Sequence, residues 1–339
     1  MPTPSPTSTG TRVLVLDADQ PSALAIVRSL GRRGLAVHTA GHAASGLASH
    51  SRYSRQGLVY PDPMHDEAGF IDWCVRTCEG GHYGLVIPVT ERSVVPLHRH
   101  RDRMGATPVA IAPAAALEQV LDKARTFALA TSLGVPVPRS LPVASADEAV
   151  RAAQALGYPV VVKPTRSLGQ HGGTRVALSV AYAMDERQLV AMVTHALRHG
   201  EVVLQEFFRG DGVGVELIAD HGVVRYAFQH RRLHEVPLTG GGSSLRVSEP
   251  VTPALGRAAE ALMAALGWHG VAMVEFKLAA DGRDFRLMEI NGRFWGSLPL
   301  AVAAGADFPA MLHALVTQGK IGDVSPARPG VLCRNLARD

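Results

Sequence analysis

The stretch LMEINGRFWGS, residues 287–297, decides how this chain is read. After an apolar lead-in, Glu289, Asn291 and Arg293 follow one another at every second position. Side chains at i and i+2 of a strand share a face, so RLMEIN points Leu287, Glu289 and Asn291 the same way. Upstream, VAMVEFK does the same with Glu275 and Lys277, and the DGR at 281–283 suits a hairpin connection. Antiparallel pairing then brings Glu275 beside Glu289 and Asn291. Two carboxylates and an amide are hard oxygen donors. They suit Mg²⁺, which takes few protein oxygens and completes its shell with water and phosphates. A merely solvated face would not need Met273, Phe276 and Ile290 packed around it.

Phosphates held by such a metal need cations and amides nearby. YPVVVKP, 158–164, reads as a buried strand that delivers Lys163 to a cleft. The following SLGQHGG, 167–173, offers backbone N–H groups unobstructed by side chains, a concavity for anions. Lys123 lies ahead of the TSLGVPVP break. Lysine is scarce, with four residues among 34 basic ones. Where arginine supplies the generic charge, a lysine stands out as a compact, rotatable ammonium. Other nucleotide and hydrolase signatures are missing: GxxxxGK(S/T), GxSxG and HExxH do not occur, and GDGVG at 210–214 is in the wrong context for a dinucleotide turn.

The N-terminal part alternates. RVLVLDAD (12–19) predicts a strand, 22–34 a helix, 35–41 a second strand, 70–81 a helix, 84–91 a strand and VAIAP (109–113) a last strand. This is a doubly wound α/β unit. Ligands in such sheets bind beyond the strand ends, which makes Asp17, Asp19, Thr90 and Glu91 candidates for lining a cleft. From 114 on the pattern becomes α+β with hairpins: one helix over 115–134, a capping box at Ser145 and Glu148, and a helix over 185–200.

Together these motifs resemble the ATP-grasp superfamily, in its carboxylate–amine ligase-like branch, and also the ATP-grasp modules of carbamoyl phosphate synthase. MPTPSPTSTGT lacks the basic-then-apolar order of a signal peptide and reads as a leader, 1–11; the resemblance implies a pre-ATP-grasp domain over 12–112 and an ATP-grasp fold over 113–320. It further implies a lid subdomain over about 125–207 and a tail at 321–339. It implies ATP and Mg²⁺ as cofactors, with Mn²⁺ as an alternative. Lys123 and Lys163 would contact phosphates, and Gly169, Gly172 and Gly173 would sit in the loop over them. Gln205, Glu206, Phe207 and Phe208 would form the adenine hinge. Glu275, Glu289 and Asn291 would hold metal, and Arg293 the transferring phosphoryl group. The family's Asn-Pro-Arg is here Asn-Gly-Arg, through Gly292, and the ribose acid is either Asp211 or Glu216.

QHRRLHEVPLTGGGSS (229–244) is richer than that fold requires. Arg231 and Arg232 form a candidate fork for a carboxylate or acyl phosphate, with Trp295 walling the same pocket. The expected activity is ATP-dependent ligation of a small carboxylate to an amine through an acyl phosphate, releasing ADP. A different acceptor, or a regulatory nucleotide-binding module, stays open. An oxidoreductase suffers from the missing glycine fingerprint. Scattered charge, with a formal net of +4, argues against nucleic acid. The absence of a long apolar run argues against a membrane span. Three cysteines without a CxxC pair point to a reduced, cytoplasmic protein, with a homodimer admitted.

Overall fold

The computed structural model describes residues 12–43, 45–164, 168–171, 174–177, 180–235 and 242–336. The first unit runs β1 (Arg12–Val15), α1 (Pro21–Arg32), β2 (Val37–Gly41), β3 (Ser54–Val59), α2 (Glu67–Gly81), β4 (Tyr83–Ile87) and α3 (Glu91–Arg99). Its sheet is parallel, in the order β3-β2-β1-β4. Val13, Leu14 and Val15 are fully buried, because a central parallel strand is covered on both faces and needs an unbroken apolar run. Two expectations change here. VAIAP contributes a single parallel bridge, Val86 to Val109, and no strand. The 84–91 strand stops at Ile87, and Glu91 opens a helix with Pro96 inside it.

The helix predicted over 115–134 is two, α4 (Ala114–Leu121) and α5 (Lys123–Ser132). Asp122 breaks it, with its carboxylate accepting from the N–H groups of Ala124 and Arg125 as the N-cap of α5. This break sets Lys123 at the first position of a new helix.

A small unit follows: β5 (Ser140–Val143), α6 (Ala146–Leu156), β6 (Val160–Pro164), β7 (Leu168–His171), β8 (Thr174–Ala177), β9 (Ala181–Ala183), α7 (Glu186–Ala196) and β10 (Val202–Glu206). Its sheet has the order β5-β10-β6-β9, and its own core runs from Val143 to Leu204. Because α5 packs against β15 (Phe285–Asn291) and shares none of this core, the small unit begins near Ser140 and not at 125. Ser145 caps α6 as expected, while Glu148 reaches back to the N–H of Ala144.

The large sheet takes β11 (Asp211–Asp220), β12 (Val223–Glu235), β13 (Ser243–Glu249), β14 (Gly270–Leu278), β15 and β16 (Leu332–Arg334), in the order β15-β14-β11-β12-β13-β16. Helix α8 (Pro253–Leu266) covers one face; α9 (Leu298–Ala304) and α10 (Phe308–Gln318) pack on the other. The N-terminal unit does not close on its own. Val13, Ile26 and Leu30 share one core with Met273, Trp295, Phe308 and Leu312. Arg33 and Ser29 bind Asp307 across the same seam. Within the segment expected as a tail, Val324, Ala327 and Val331 pack on this core and β16 pairs with β13. Trp295 lies 1% exposed inside it, against Phe308, so it does not wall a pocket. Among the described residues no single helix is long and apolar enough to cross a membrane.

Candidate functional site

The hairpin of β14 and β15 pairs Glu275 with Glu289 and Met273 with Asn291, the expected register. The Asn291 amide donates to Glu275 Oε1 at 3.2 Å and to Glu289 Oε1 at 3.1 Å. One detail differs. A bulge between Glu275 and Phe276 pairs Phe276 with Leu287, and Leu287 turns into the core under α4 and α8, away from the acids.

Cations close round this pair of acids. Lys163 comes from the end of β6, is 7% exposed, and donates to the Met288 carbonyl at 3.4 Å. Its ammonium sits 5.4 Å from the centre of the Phe127 ring. Burial, and then repulsion from Lys123, pull its pKa down to about 8 against the opposing pull of Glu289 and Glu275. Burial alone would raise the Glu289 pKa, but Lys123 and Lys163, with Asn291 and Arg293, bring it below its ordinary value. Glu289 therefore carries its charge at neutral pH. Lys123, Phe127, Glu289, Asn291 and Arg293 line one cleft, and Glu91 of the N-terminal unit closes its side. Arg293 reaches Glu91 at 3.3 Å and the Phe294 carbonyl at 3.0 Å.

Arg232 extends from β12 to Glu275 Oε2 at 2.5 Å, and Glu275 holds its guanidinium firmly protonated. It can do so because β11, which lies between, is bare there. A Cβ on Gly212 would stand 2.8 Å from Arg232 Cδ, and one on Gly214 would stand 2.4 Å from His230 Cε1. GDGVG is thus a clearing in the sheet, across which Lys277 also meets Glu235 at 3.2 Å.

Arg231, expected to form a fork with Arg232, points to the opposite face, since neighbours in a strand alternate. It is held there by Asp211 and Glu249, each at 2.8 Å. The two candidate ribose acids are both engaged elsewhere. Asp211 is paired with Arg231, while Glu216 is fully buried against Ser297 at 2.5 Å and His230 at 2.9 Å. That buried trio is also invisible in the sequence, as is Phe127 beneath Lys163.

At the hinge, Gln205 is buried and donates to Ser140, while the Glu206 N–H is taken by the Arg139 carbonyl. Phe207 is 42% exposed, and Phe208 lies under the Arg286 guanidinium. Gly169 pairs with Val176 in the β7–β8 hairpin, while Gly172 and Gly173 lie outside the described residues. Asp17 lines no cleft. It is 2% exposed and accepts from Val89, Thr90, Ser93 and Tyr60.

Residues 122–320 match the family described as carbamoyl-phosphate synthase L chain, ATP binding domain. The chain belongs to the ATP-grasp superfamily. Among curated ATP-grasp relatives, the carbamoyl phosphate synthase large chain of Haemophilus ducreyi is 26% identical over 206 residues, 59% of this chain and 18% of that protein. The D-alanine–D-alanine ligase of Verminephrobacter eiseniae is 29% identical over 194 residues, 52% of this chain and 55% of that one. The chain therefore spans about a fifth of the synthase and about half of the ligase. Among solved structures, the L-amino acid ligase of Bacillus licheniformis aligns with a TM-score of 0.67 at 18% identity, over 92% of this chain and 75% of that one. A biotin carboxylase of Campylobacter jejuni aligns with a TM-score of 0.73 at 16% identity, over 94% and 72%. At these identities the likeness is one of fold.

The acidic face fits a divalent cation by its own chemistry. Two carboxylates opposite each other on paired strands repel, and although Arg232 and the lysines offset part of that charge, the carboxylate oxygens remain hard donors suited to a divalent cation. Asn291 can turn its amide oxygen toward that position, because the two ends of the amide are interchangeable in shape.

Proposed function

We propose that this protein is an ATP-dependent ligase that joins a small carboxylate to an amine through an acyl phosphate. In this reading residues 12–112 are the pre-ATP-grasp unit and 113–320 the nucleotide-binding fold. The observation that carries it is the convergence of Lys123, Lys163 and Arg293 on Glu275, Glu289 and Asn291. Phosphoryl transfer needs positioning and charge neutralisation more than covalent help from the protein, and that set supplies both.

Glu275, Glu289 and Asn291 would hold Mg²⁺, which supplies Lewis-acid neutralisation of the phosphates. Lys123 and Lys163 bind phosphate oxygens, and the β7–β8 pair, through Gly169, covers them. Residues 205–208 face the base. An oxygen of the substrate carboxylate attacks the γ-phosphorus as the bond to the β-phosphate oxygen breaks, and ADP leaves. Arg293 carries the charge that gathers on the transferring group. The amine nitrogen then attacks the acyl carbon, the carbon–oxygen bond to phosphate breaks, and the amine gives up a proton. Arg232, bonded to Glu275, is placed to bind the substrate carboxylate, and would be released to do so if Mg²⁺ supplied the positive charge at Glu275.

Hydroxylamine offered with ATP, Mg²⁺ and a panel of carboxylates tests this. A hydroxamate formed in step with ADP is the expected result. AMP and pyrophosphate would mean an acyl adenylate, and would remove Lys163 and Arg293 from γ-phosphate transfer.

A further inference from the structure

The turn that joins β11 to β12 carries Asp220 and His221, and His269 stands immediately before β14. These three side chains meet at the end of the large sheet. One donor atom from each lies within 4.8 Å of the others. A ring nitrogen of His221 is 2.8 Å from Asp220 Oδ1, and one of His269 is 3.4 Å from the same oxygen. The two imidazoles stack loosely, 4.4 Å apart and tilted by 43°.

From this geometry we infer that Asp220, His221 and His269 form a binding site for one borderline divalent cation such as Zn²⁺. Zinc with nitrogen and oxygen ligands at about 2.0–2.2 Å in a tetrahedron separates its donors by roughly 3.3 Å; the 3.4 Å spacing of His269 matches this, and the 2.8 Å hydrogen bond of His221 and the third pair, within 4.8 Å, come to it by small side-chain rotations. Two imidazoles and one carboxylate favour Zn²⁺, Cu²⁺ or Ni²⁺ over Mg²⁺, which prefers oxygen alone. The site therefore does not duplicate Glu275, Glu289 and Asn291. Gly270 and Glu275 are five residues apart on β14, which is about 16 Å of strand.

Two further observations agree. His221 holds the left-handed conformation at φ 46°, which histidine adopts more readily than most residues with a Cβ, and its ring lies against that of His269. The buried Nδ1 of His269 makes no hydrogen bond of acceptable geometry, even with Asp220 close by. The exposed His221 leaves the fourth position open to water. Arg225 lies on the other carboxylate oxygen, Oδ2, at 3.0 Å. It opposes the cation electrostatically but fixes Asp220 so that Oδ1 faces the imidazoles. A bound ion would tie the β11–β12 turn to the entrance of β14, a structural clamp independent of the nucleotide reading.

The test uses the full chain, free of any affinity tag and stripped of metal, with millimolar Mg²⁺ present throughout to occupy the carboxylate face. Zn²⁺ is titrated calorimetrically, and Co²⁺ is followed by visible absorption. The expected result is one ion per chain, with the strong bands of four-coordinate Co²⁺ and a higher melting temperature. His269→Ala should weaken binding by about 100-fold or more, beyond the loss from removing an outer partner of a metal ligand. His221→Asn, which tolerates the left-handed backbone, should do the same with an unchanged circular dichroism spectrum. Absence of stoichiometric binding to the wild type would overturn the inference. So would binding that survives both substitutions, since other histidines would then be responsible and the cluster would be a hydrogen-bonded turn.

Discussion

Asp17 and Glu289 both follow apolar runs near strand ends, yet they do opposite work. Asp17 is satisfied by the molecule itself. Two backbone N–H groups, one serine hydroxyl and one tyrosine hydroxyl fill its oxygens, and nothing remains for a ligand. Glu289 has one amide donor, a second carboxylate opposite, and lysines that approach without bonding to it. A buried carboxylate held by fixed neutral donors stabilises the fold. In the proposed enzyme, one balanced by cations at a distance is left open to a ligand that brings its own charge.

The largest test of that contrast is Glu289→Ala. In the proposed enzyme it should slow ADP formation by about 1000-fold, roughly 4 kcal/mol, through loss of metal-mediated charge stabilisation, while the fold survives. Near-normal ADP release would put Glu289 in the same class as Asp17. The converse is Asp17→Asn, which should lower unfolding stability by about 2–3 kcal/mol through a broken buried network. Denaturant melts measure this. Calorimetry on the folded protein should find nucleotide affinity unchanged, and a changed affinity would reopen Asp17 as a cleft residue.

Lys163→Met keeps the length and apolar contacts but removes the ammonium. Affinity for ADP with Mg²⁺ should fall by about 30-fold, near 2 kcal/mol for a charge-assisted contact. The same residue gives a pH signature. With a folded-state pKa of about 8 and an ordinary value of 10.5, the unfolded chain binds more protons between those limits. The contribution of Lys163 to stability therefore rises as pH climbs from 8 to 10.5. Metal-free wild type should gain stability relative to Lys163→Met over that window, and parallel curves would contradict it.

The smallest effect separates two neighbours. Arg232→Met should raise the affinity of the nucleotide-free protein for Mn²⁺ a few-fold, because a competitor for Glu275 is gone, and should slow turnover. Arg231→Met should leave both within about twofold and cost under about 1 kcal/mol of stability, as part-exposed ion pairs do. Equal effects from the two would mean that the opposite faces of β12 do not matter.

What the sequence determined by itself was whatever depends on local period. The alternation in β14 and β15 placed Glu275, Glu289 and Asn291 together, and the apolar run of β6 delivered Lys163 to its end. The unbroken apolar run of β1 and the cap at Ser145 were readable for the same reason. Other features escaped local reading. Strand β3 alternates poorly because its outer side is exposed, Pro96 disguised α3, and Asp122 looked like one more polar residue in a helix. Tertiary structure decided which polar residues were already taken. Whether Asp17, Asp211 or Glu216 was free depended on Tyr60, Arg231 and His230, each far away or on a partner strand. It also decided that the N-terminal unit, α10 and the segment from Val324 to Cys333 share one core. Local periodicity fixes which face a side chain takes, but the partner on that face comes from the packing of distant segments.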